Sequence, residues 1–254
     1  MREGLGVLEP GWIPADWPAP AHVRAGVTTR LGGVSGGPYT SLNLATHVGD
    51  EPVAVAENRT RLRQTLQLPA EPVWLNQVHG TQVCLDAAVG ATADASISRQ
   101  PGDVCVVLTA DCLPVLLCNR AGTVVAAAHA GWRGLAAGVV AETLEHMGEA
   151  PENLLAWLGP AIGPQAFEVG DDVRSAFLAL RPDYAQAFVA HDPGKWLMDI
   201  YAAARLQLAG FGVTQVFGGG LCTYADDSRF YSYRRQHHTG RMASLIWISE
   251  GDAV

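Results

Sequence analysis

The sequence predicts a mixed α/β (α+β) fold, and two patterns indicate it. Short apolar runs bounded by glycine, proline or asparagine fill the middle of the chain, as expected of buried strands. After Gly131 the apolar residues instead recur at three- and four-residue spacing, the period of an amphipathic helix. With 254 residues, 48% of them hydrophobic, the chain can bury a sizeable core without disulfide bonds. Because no linker or repeat divides it, we expect one domain over residues 22–254 after an extended, proline-punctuated arm over residues 1–21.

The elements follow in order from these patterns. Asp50, followed by Pro52, is typical of the start of a helix, and this helix is predicted to run to about residue 68. Asp171 and Asp199 suit the N-caps of two later helices, and Gly148 suits the end of the helix that follows Gly131. Helices are therefore predicted at about 50–68, 132–147, 171–180 and 199–208, and strands at 22–29, 73–75, 81–85, 103–109, 113–118, 123–129, 154–158, 213–217 and 244–248.

Charge and composition narrow the range of partners. The net charge of −8 and a pI near 5.4 argue against nucleic acid or an anionic membrane as the main partner. The amino terminus has no apolar signal core, and no apolar run approaches membrane-spanning length. The five cysteines are widely spaced and odd in number, which favours free thiols in a reducing compartment. We therefore expect a cytoplasmic protein; its oligomeric state is left open.

Three short segments place metal-ligating side chains beside small or turn-forming residues. His79, Cys112 and His129 each lie where an apolar run ends. Two imidazoles and one thiol would give Zn²⁺ three protein ligands and leave a fourth position for water or substrate, as in catalytic zinc sites. Cys112 also suits two other roles, a thiolate nucleophile with a histidine base or a small buried apolar residue. The residue pattern alone does not separate these roles.

Groups that suit an anion and a flat aromatic ligand lie elsewhere in the sequence. Residues 131–134 open a helix whose free N–H groups favour an anion, and Arg133 in that turn opposes the helix dipole unless an anion lies nearby. Its alternative is a solvated arginine. The glycine-rich turn at 32–37 has neither a Walker lysine nor a Gly-x-Gly-x-x-Gly motif. It is either a surface turn or a pocket edge flanked by Arg30 and Asn43.

The segment 224–241 combines aromatic side chains with arginines. Tyr224, Arg235 and Arg241 belong to this segment. Aromatic faces stack on bases and guanidinium groups bind phosphate, so some of these side chains are expected to line a pocket rather than the free surface.

These motifs together resemble the YfiH family, also called the polyphenol-oxidase-like family. The resemblance spans roughly residues 22–248, with no departure at the three ligand positions. It rests on TTRLGGVS at 28–35, HG at 79–80, ADC at 110–112, HAGWRG at 129–134, GPAIGP at 159–164, YSYRR at 231–235 and TGR at 239–241.

The resemblance implies a fold, a cofactor and an activity. The fold is a single catalytic domain, residues 22–254, with mixed β-sheets sandwiched between helices. The cofactor is one catalytic Zn²⁺ per chain. The activity is phosphate-dependent cleavage of adenosine, inosine and methylthioadenosine, with deamination of adenosine. Asp111 or Glu168 is expected to move the proton. The implied catalytic residues are His79, Cys112, His129 and Asp111, the first three as zinc ligands; those for the nucleoside and phosphate are Arg30, Asn43, Arg133, Tyr224, Arg235 and Arg241.

Two other functions remain open at this stage. Some relatives resemble peptidoglycan editing factors, which would hydrolyse an amide of a cell-wall precursor with Cys112 or zinc-bound water. A zinc-stabilised interaction protein would instead need a closed site with four ligands. Laccase chemistry needs many clustered imidazoles, whereas this chain has eight histidines and no His-x-His pair. Copper binding at the single His/Cys/His set would then be adventitious.

Overall fold

The computed structural model describes residues 11–85 and 90–249, in which strands and helices are mixed as predicted. The helices are α1 (Pro52–Leu66), α2 (Trp132–Ala137), α3 (Val139–Met147), α4 (Asp171–Leu180) and α5 (Ile200–Gly210). The strands are β1 (Trp12–Pro14), β2 (Val23–Thr28), β3 (Val83–Cys84), β4 (Ala95–Ser98), β5 (Val104–Thr109), β6 (Leu113–Asn119), β7 (Val125–Ala130), β8 (Leu154–Leu158), β9 (Glu168–Gly170), β10 (Phe188–Ala190), β11 (Lys195–Met198), β12 (Gln215–Gly218) and β13 (Met242–Ile248).

The strands form two large sheets and one small one. A four-stranded antiparallel sheet has the order β1-β2-β13-β5, and a six-stranded sheet has the order β12-β8-β6-β7-β4-β3. The six-stranded sheet is antiparallel at its centre and parallel in its outer pairs, β12–β8 and β3–β4. The small sheet, β10-β11-β9, is antiparallel.

The two large sheets pack face to face, and β6 shows how the sequence produces this. Every residue of β6 is buried, so the strand reads as a continuous apolar run. Because side chains alternate across a strand, Leu116 and Cys118 face the four-stranded sheet, whereas Val115 and Leu117 face the helices. Ile246 of β13 packs in the same inter-sheet core as Leu116.

Helices cover both outer faces, which confirms the predicted sandwich. Leu135 of α2, Met147 of α3 and Phe177 of α4 pack in the core on the outer face of the six-stranded sheet. Leu62 of α1 packs with Leu245 on the outer face of the four-stranded sheet. No helix within the described residues is both long and apolar enough to cross a bilayer.

Some predicted elements differ from the structure in their boundaries. The single helix expected over 132–147 is two helices, because Gly138 adopts a φ of 104° that ends α2 and begins α3. Asp50 does not cap α1; its carboxylate accepts hydrogen bonds from Ser35 and Asn43, and Glu51 occupies the N-cap. Asp199 does cap α5, as predicted, by accepting from the N–H of Ala202.

Other strand and cap predictions were wrong. Residues 73–75 form no strand but only an isolated bridge from Val73 to Cys105. Asp171 is the first residue of α4, and Gly170 is its N-cap. Residues 1–10 of the predicted arm lie outside the described residues, and the rest of the arm contains β1, an edge strand paired with β2.

Candidate metal centre and substrate cavity

Three distant segments bring His79, Cys112 and His129 together. His79 lies in the loop before β3, Cys112 in the turn where the chain crosses from β5 to β6, and His129 near the end of β7. Their ligand atoms all lie within 4.8 Å of one another. The Cys112 Sγ is 3.8 Å from the His79 Nε2, and the two imidazole rings meet edge to face at 4.7 Å between centroids. The three predicted ligands therefore form one cluster.

A fully buried carboxylate supports two of these side chains. Asp94 lies immediately before β4, and its Oδ1 accepts hydrogen bonds from the His129 Nδ1 (2.8 Å) and the backbone N–H of His79 (2.9 Å). Its Oδ2 accepts from the N–H groups of Gly80 (2.6 Å) and Val78 (3.2 Å). With Nδ1 engaged, the His129 Nε2 is left for the cluster. The sequence patterns did not predict Asp94, since β4 was not predicted either.

Without a metal ion, electrostatic interactions within the cluster favour the charged forms of Cys112 and His129. Burial alone would raise the pKa of the Cys112 thiol, but the imidazoles of His129 and His79 outweigh it and lower that pKa to about 6. Burial would lower the pKa of His129, but the Cys112 thiolate and the Asp94 carboxylate raise it. Burial likewise works against ionisation of Asp94, yet hydrogen bonds from His129 and Gly80 hold its pKa below the usual value. The chain thus favours the thiolate, the form that binds metal.

The cluster opens into a cavity of about 600 Å³. Its apolar wall contains Trp132, Ile162, Phe167 and Ile200. Asp111 is the only acidic residue that lines it among those described, although the whole chain carries a net charge of −8. Its arginine and histidine lining residues outside the cluster are His47, Arg133, Arg234, His237 and Arg241. The cavity therefore suits a ligand with a flat apolar part and an anionic part.

Comparisons with known proteins agree with this site. A family model described as a multi-copper polyphenol oxidoreductase laccase matches residues 24–249. A purine nucleoside phosphorylase of Pseudomonas aeruginosa is 56% identical over 241 residues, which cover 94% of this chain and 99% of that protein. The purine nucleoside phosphorylase YfiH of Escherichia coli is 57% identical over 239 residues, which cover 93% and 98%. The chain belongs to the YfiH family.

Solved structures of the YfiH family share the fold. A Neisseria meningitidis protein superposes with a TM-score of 0.91 at 52% identity, covering 94% of this chain and 100% of that one. YlmD from Geobacillus stearothermophilus gives a TM-score of 0.89 at 32% identity, covering 94% and 97%.

The family model's copper description does not match the number of ligands in this chain. Within the described residues, the cavity contains a single group of three metal-ligating side chains. The other group, Glu168, His191 and Asp192, lies at the surface, where Lys195 Nζ is 3.7 Å from Glu168. One trigonal His/Cys/His set can hold one metal ion, not the several coppers of a laccase.

Two of the predicted substrate residues line the cavity. The Arg133 guanidinium stacks over the Trp132 ring at 4.4 Å. Arg241 donates from Nη1 to the carbonyls of Thr239 and Gly240, and its Nε and Nη2 make no hydrogen bond with any described residue. Burial lowers the pKa of Arg241. The Nε and Nη2 donors of Arg241 remain available to a ligand.

The other four predicted substrate residues lie outside the cavity lining: Arg30, Asn43, Tyr224 and Arg235. Arg30 donates to the carbonyls of Thr40 and Asp227, and Arg235 donates to three carbonyls between residues 223 and 230. The buried side chain of Asn43 donates to the Ala45 carbonyl and the Asp50 carboxylate. These contacts hold the loops around the cavity. Direct contact of these four residues with substrate stays a prediction.

Asp111 lines the cavity, and both of its carboxylate oxygens accept hydrogen bonds. Its Oδ1 accepts from the Thr223 hydroxyl at 2.6 Å, and its Oδ2 accepts from the Ser232 hydroxyl and the Arg234 N–H. Asp111 also has a φ of 86°, a left-handed conformation that these contacts maintain. The other candidate proton carrier, Glu168, does not line the cavity. Proton transfer by either residue stays a prediction.

Several lining residues were not predicted from the sequence. His237 lies in an exposed loop and also lines the cavity, where it packs edge to face against Tyr233, 4.8 Å between ring centroids. The pKa of His47 is lowered by partial burial and by the charges of Arg241 and Arg59. No local motif marks these residues, because only the folded loops bring them to one cavity.

Proposed function

We propose that this protein is a zinc-dependent purine nucleoside phosphorylase that cleaves adenosine, inosine and methylthioadenosine with phosphate. One observation carries the proposal: the His/Cys/His cluster opens into a cavity that has both an apolar aromatic wall and arginine N–H donors that no described residue accepts from. The relatives at 56% and 57% identity bear the name of that activity. We place the protein in the cytoplasm, where its cysteine thiols would stay reduced.

The donor set fits zinc. One thiolate and two imidazoles are ligands that zinc accepts readily, and His129, Cys112 and His79 would hold the ion. Three protein ligands leave a position on the cavity side, because all three residues line the cavity. A bound Zn²⁺ supplies a Lewis acid that polarises an oxygen of a ligand. A zinc-stabilised interaction protein would need a fourth ligand, and no further His, Cys, Asp or Glu joins this group among the described residues.

The chain's own residues bind and orient the reactants. Arg241 and Arg133 would hold the phosphate, since their guanidinium groups match phosphate oxygens. Trp132 and Phe167 would cover the faces of the purine. In phosphorolysis a phosphate oxygen bonds to C1′ while the C1′–N9 bond breaks, and the proton lost by phosphate ends on the purine. Holding both reactants in one cavity is itself a large part of the rate enhancement.

We also propose that this cavity deaminates adenosine, in which water adds at the purine C6 and ammonia leaves. Both reactions use the same bound purine, so one aromatic wall serves them. The candidate proton carriers stay Asp111, which lines the cavity with both carboxylate oxygens hydrogen-bonded, and Glu168, which does not line it.

The experiment is a chromatographic assay of adenosine turnover with and without phosphate. Adenine release should require phosphate. Inosine should form with or without phosphate, and its further conversion to hypoxanthine should occur only with phosphate. Arg241→Gln should raise the KM for phosphate by roughly 10- to 100-fold, since it removes a charge-assisted hydrogen bond. Arg61→Gln is the matched control, because Arg61 pairs with Glu57 on the surface of α1. Adenine release that is unaffected by omitting phosphate would refute phosphorolysis.

A second candidate function is favoured by a different observation. Asp94, His129 and Cys112 form a carboxylate–imidazole–thiol series, the arrangement found in thiol hydrolases. The corresponding activity is amide hydrolysis in a peptidoglycan precursor. Cleavage of such an amide, together with no turnover of any nucleoside, would select this function over the first.

A further inference from the structure

Asp94 contacts both imidazole-bearing segments of the cluster without being a ligand itself. Its side chain is completely buried, and each of its two oxygens accepts two hydrogen bonds. Three of the four donors are the successive backbone N–H groups of Val78, His79 and Gly80, and the fourth is the His129 ring. A single carboxylate therefore ties together two segments that lie about 50 residues apart in the sequence.

The backbone around His79 needs this support. His79 has a φ of 60°, in the left-handed region that residues with a side chain rarely adopt. Three consecutive N–H groups that point at one centre form a concave anion-binding nest, and the Asp94 carboxylate fills it. The nest fixes the direction in which the His79 side chain leaves the backbone. His79 itself is exposed, and among the described residues Asp94 is the buried side chain that accepts from the N–H groups of this turn.

The contact with the His129 ring has a separate effect. Because the Asp94 Oδ1 lies 2.8 Å from the His129 Nδ1, that nitrogen carries the hydrogen of the bond, and the lone pair of Nε2 is directed at the cluster. The strand pairing reinforces this orientation, because the N–H of His129 donates to the carbonyl of Asp94 at 2.7 Å.

We infer that Asp94 is the positioning residue of the metal centre, which sets the His129 tautomer and the His79 turn together. The inference rests on the proposed function only in requiring that the cluster bind a metal ion. It follows that replacing Asp94 weakens metal binding although all three ligands remain. Carboxylates that accept from metal-ligating histidines typically change metal affinity 10- to 100-fold when they are replaced.

The test compares Asp94→Asn with Asp103→Asn in zinc affinity, measured by competition with a chromophoric chelator. Asparagine has the same shape, but its NH₂ group cannot accept from the N–H groups of Val78 and Gly80. We expect Asp94→Asn to bind Zn²⁺ roughly 10- to 100-fold more weakly than wild type. Asp103 accepts from Ser98 at the other end of β4, so Asp103→Asn should bind as wild type does.

A second readout separates positioning from a general loss of stability. In zinc-loaded wild type, long-range ¹H–¹⁵N NMR should show His129 protonated at Nδ1 and metal-bound at Nε2. In zinc-loaded Asp94→Asn the Nδ1 proton should lose its carboxylate-type downfield shift, and the His79 resonances should move. A purely structural role would lower the melting temperature of the metal-free variant while leaving the affinity of the folded protein unchanged, and that result would overturn the inference.

Each remaining outcome either supports or overturns the positioning role of Asp94. If Asp94→Asn does not fold, the wild-type spectrum suffices, because a zinc-bound His129 protonated at Nε2 would overturn the inference and Nδ1 protonation would support it. Wild type that binds zinc no more tightly than Asp94→Asn refutes the inference alone. Wild type that binds no stoichiometric zinc refutes the metal centre of the proposed function as well, so the two failures are distinguishable.

Discussion

Adding one methyl group at Gly131 should displace the cluster without touching a ligand. Gly131 has φ −58° and ψ 157°, which alanine adopts readily, so backbone strain does not enter. A Cβ there would lie 2.8 Å from the Cys112 Sγ and 3.3 Å from the His79 Cδ2. Since carbon contacts are most favourable at about 3.5–4.0 Å, the thiol has to move by roughly 1 Å.

A displacement of that size has calculable consequences. Misplacing a reacting group by about 1 Å costs on the order of 100-fold in rate, and overpacking a tight site costs about 1–3 kcal/mol of folding stability. We therefore expect Gly131→Ala to lose about 100-fold in kcat/KM for phosphorolysis, with weaker zinc binding. The assays are adenine release, chelator competition and urea unfolding of the metal-free protein.

The control for Gly131→Ala is Gly36→Ala. Gly36 has a φ of −105°, and a Cβ there would meet nothing within 4 Å. This variant should keep wild-type activity and zinc affinity. Gly131→Ala with wild-type zinc affinity and full turnover would refute both the spacing argument and the assignment of Cys112 to the site.

The remaining predictions concern the metal and the thiol. Protein purified without added metal should contain roughly one zinc per chain by elemental analysis; His79→Ala and His129→Ala should lose most of it, and full occupancy in both would refute the ligand assignment. Zinc should protect Cys112 from iodoacetamide, and chelation should expose the thiol and abolish activity. The pKa of the Cys112 thiol is lowered to about 6, and below that pH the thiol is protonated. The alkylation rate of the chelated protein should therefore rise through pH 6 and level off above it. A midpoint near the ordinary thiol pKa of 9 would contradict the coupling to the imidazoles. Cys112→Ser should lose zinc and activity together, whereas Cys112→Ala that keeps zinc but has no turnover would support a nucleophile.

Much of the fold could be predicted from the sequence because many of its strands, turns and helix caps depend on residues that are neighbours in the chain. The apolar run of β6 and the turn-forming residues after it specify a buried hairpin, and the structure pairs β6 with β7. Asp199 caps α5 because its carboxylate accepts a hydrogen bond from a backbone N–H in the first turn of the same helix. The break at Gly138 was missed, since the apolar spacing continues through it and only the φ of 104° shows the interruption. Strand β4 was missed because its alanine and serine side chains, although all buried, carry a weak hydrophobic signal.

The site shows the same division between local and long-range information. The three members of the His/Cys/His cluster were identified because each lies beside glycine or proline at the end of an apolar run, and the family resemblance then implied their role as ligands. Asp94, His47 and His237 were not identified, because the fold alone brings them to a site built from segments distant in sequence. Arg235 was expected at the substrate from its residue type and from the family resemblance. Its guanidinium donates to three backbone carbonyls of its own loop, and its contact with substrate stays a prediction.

The position of β13 has a consequence for how the chain folds during synthesis. This late strand lies in the interior of the four-stranded sheet, hydrogen-bonded to β2 on one side and to β5 on the other. Until it leaves the ribosome, β2 and β5 have no common partner, and their apolar edges are open to pairing with other chains. The loop that carries Tyr233 and Arg241 into the cavity immediately precedes β13. Insertion of this strand therefore completes the sheet and the substrate cavity in one late step, and a nascent chain stopped before Met242 would have neither.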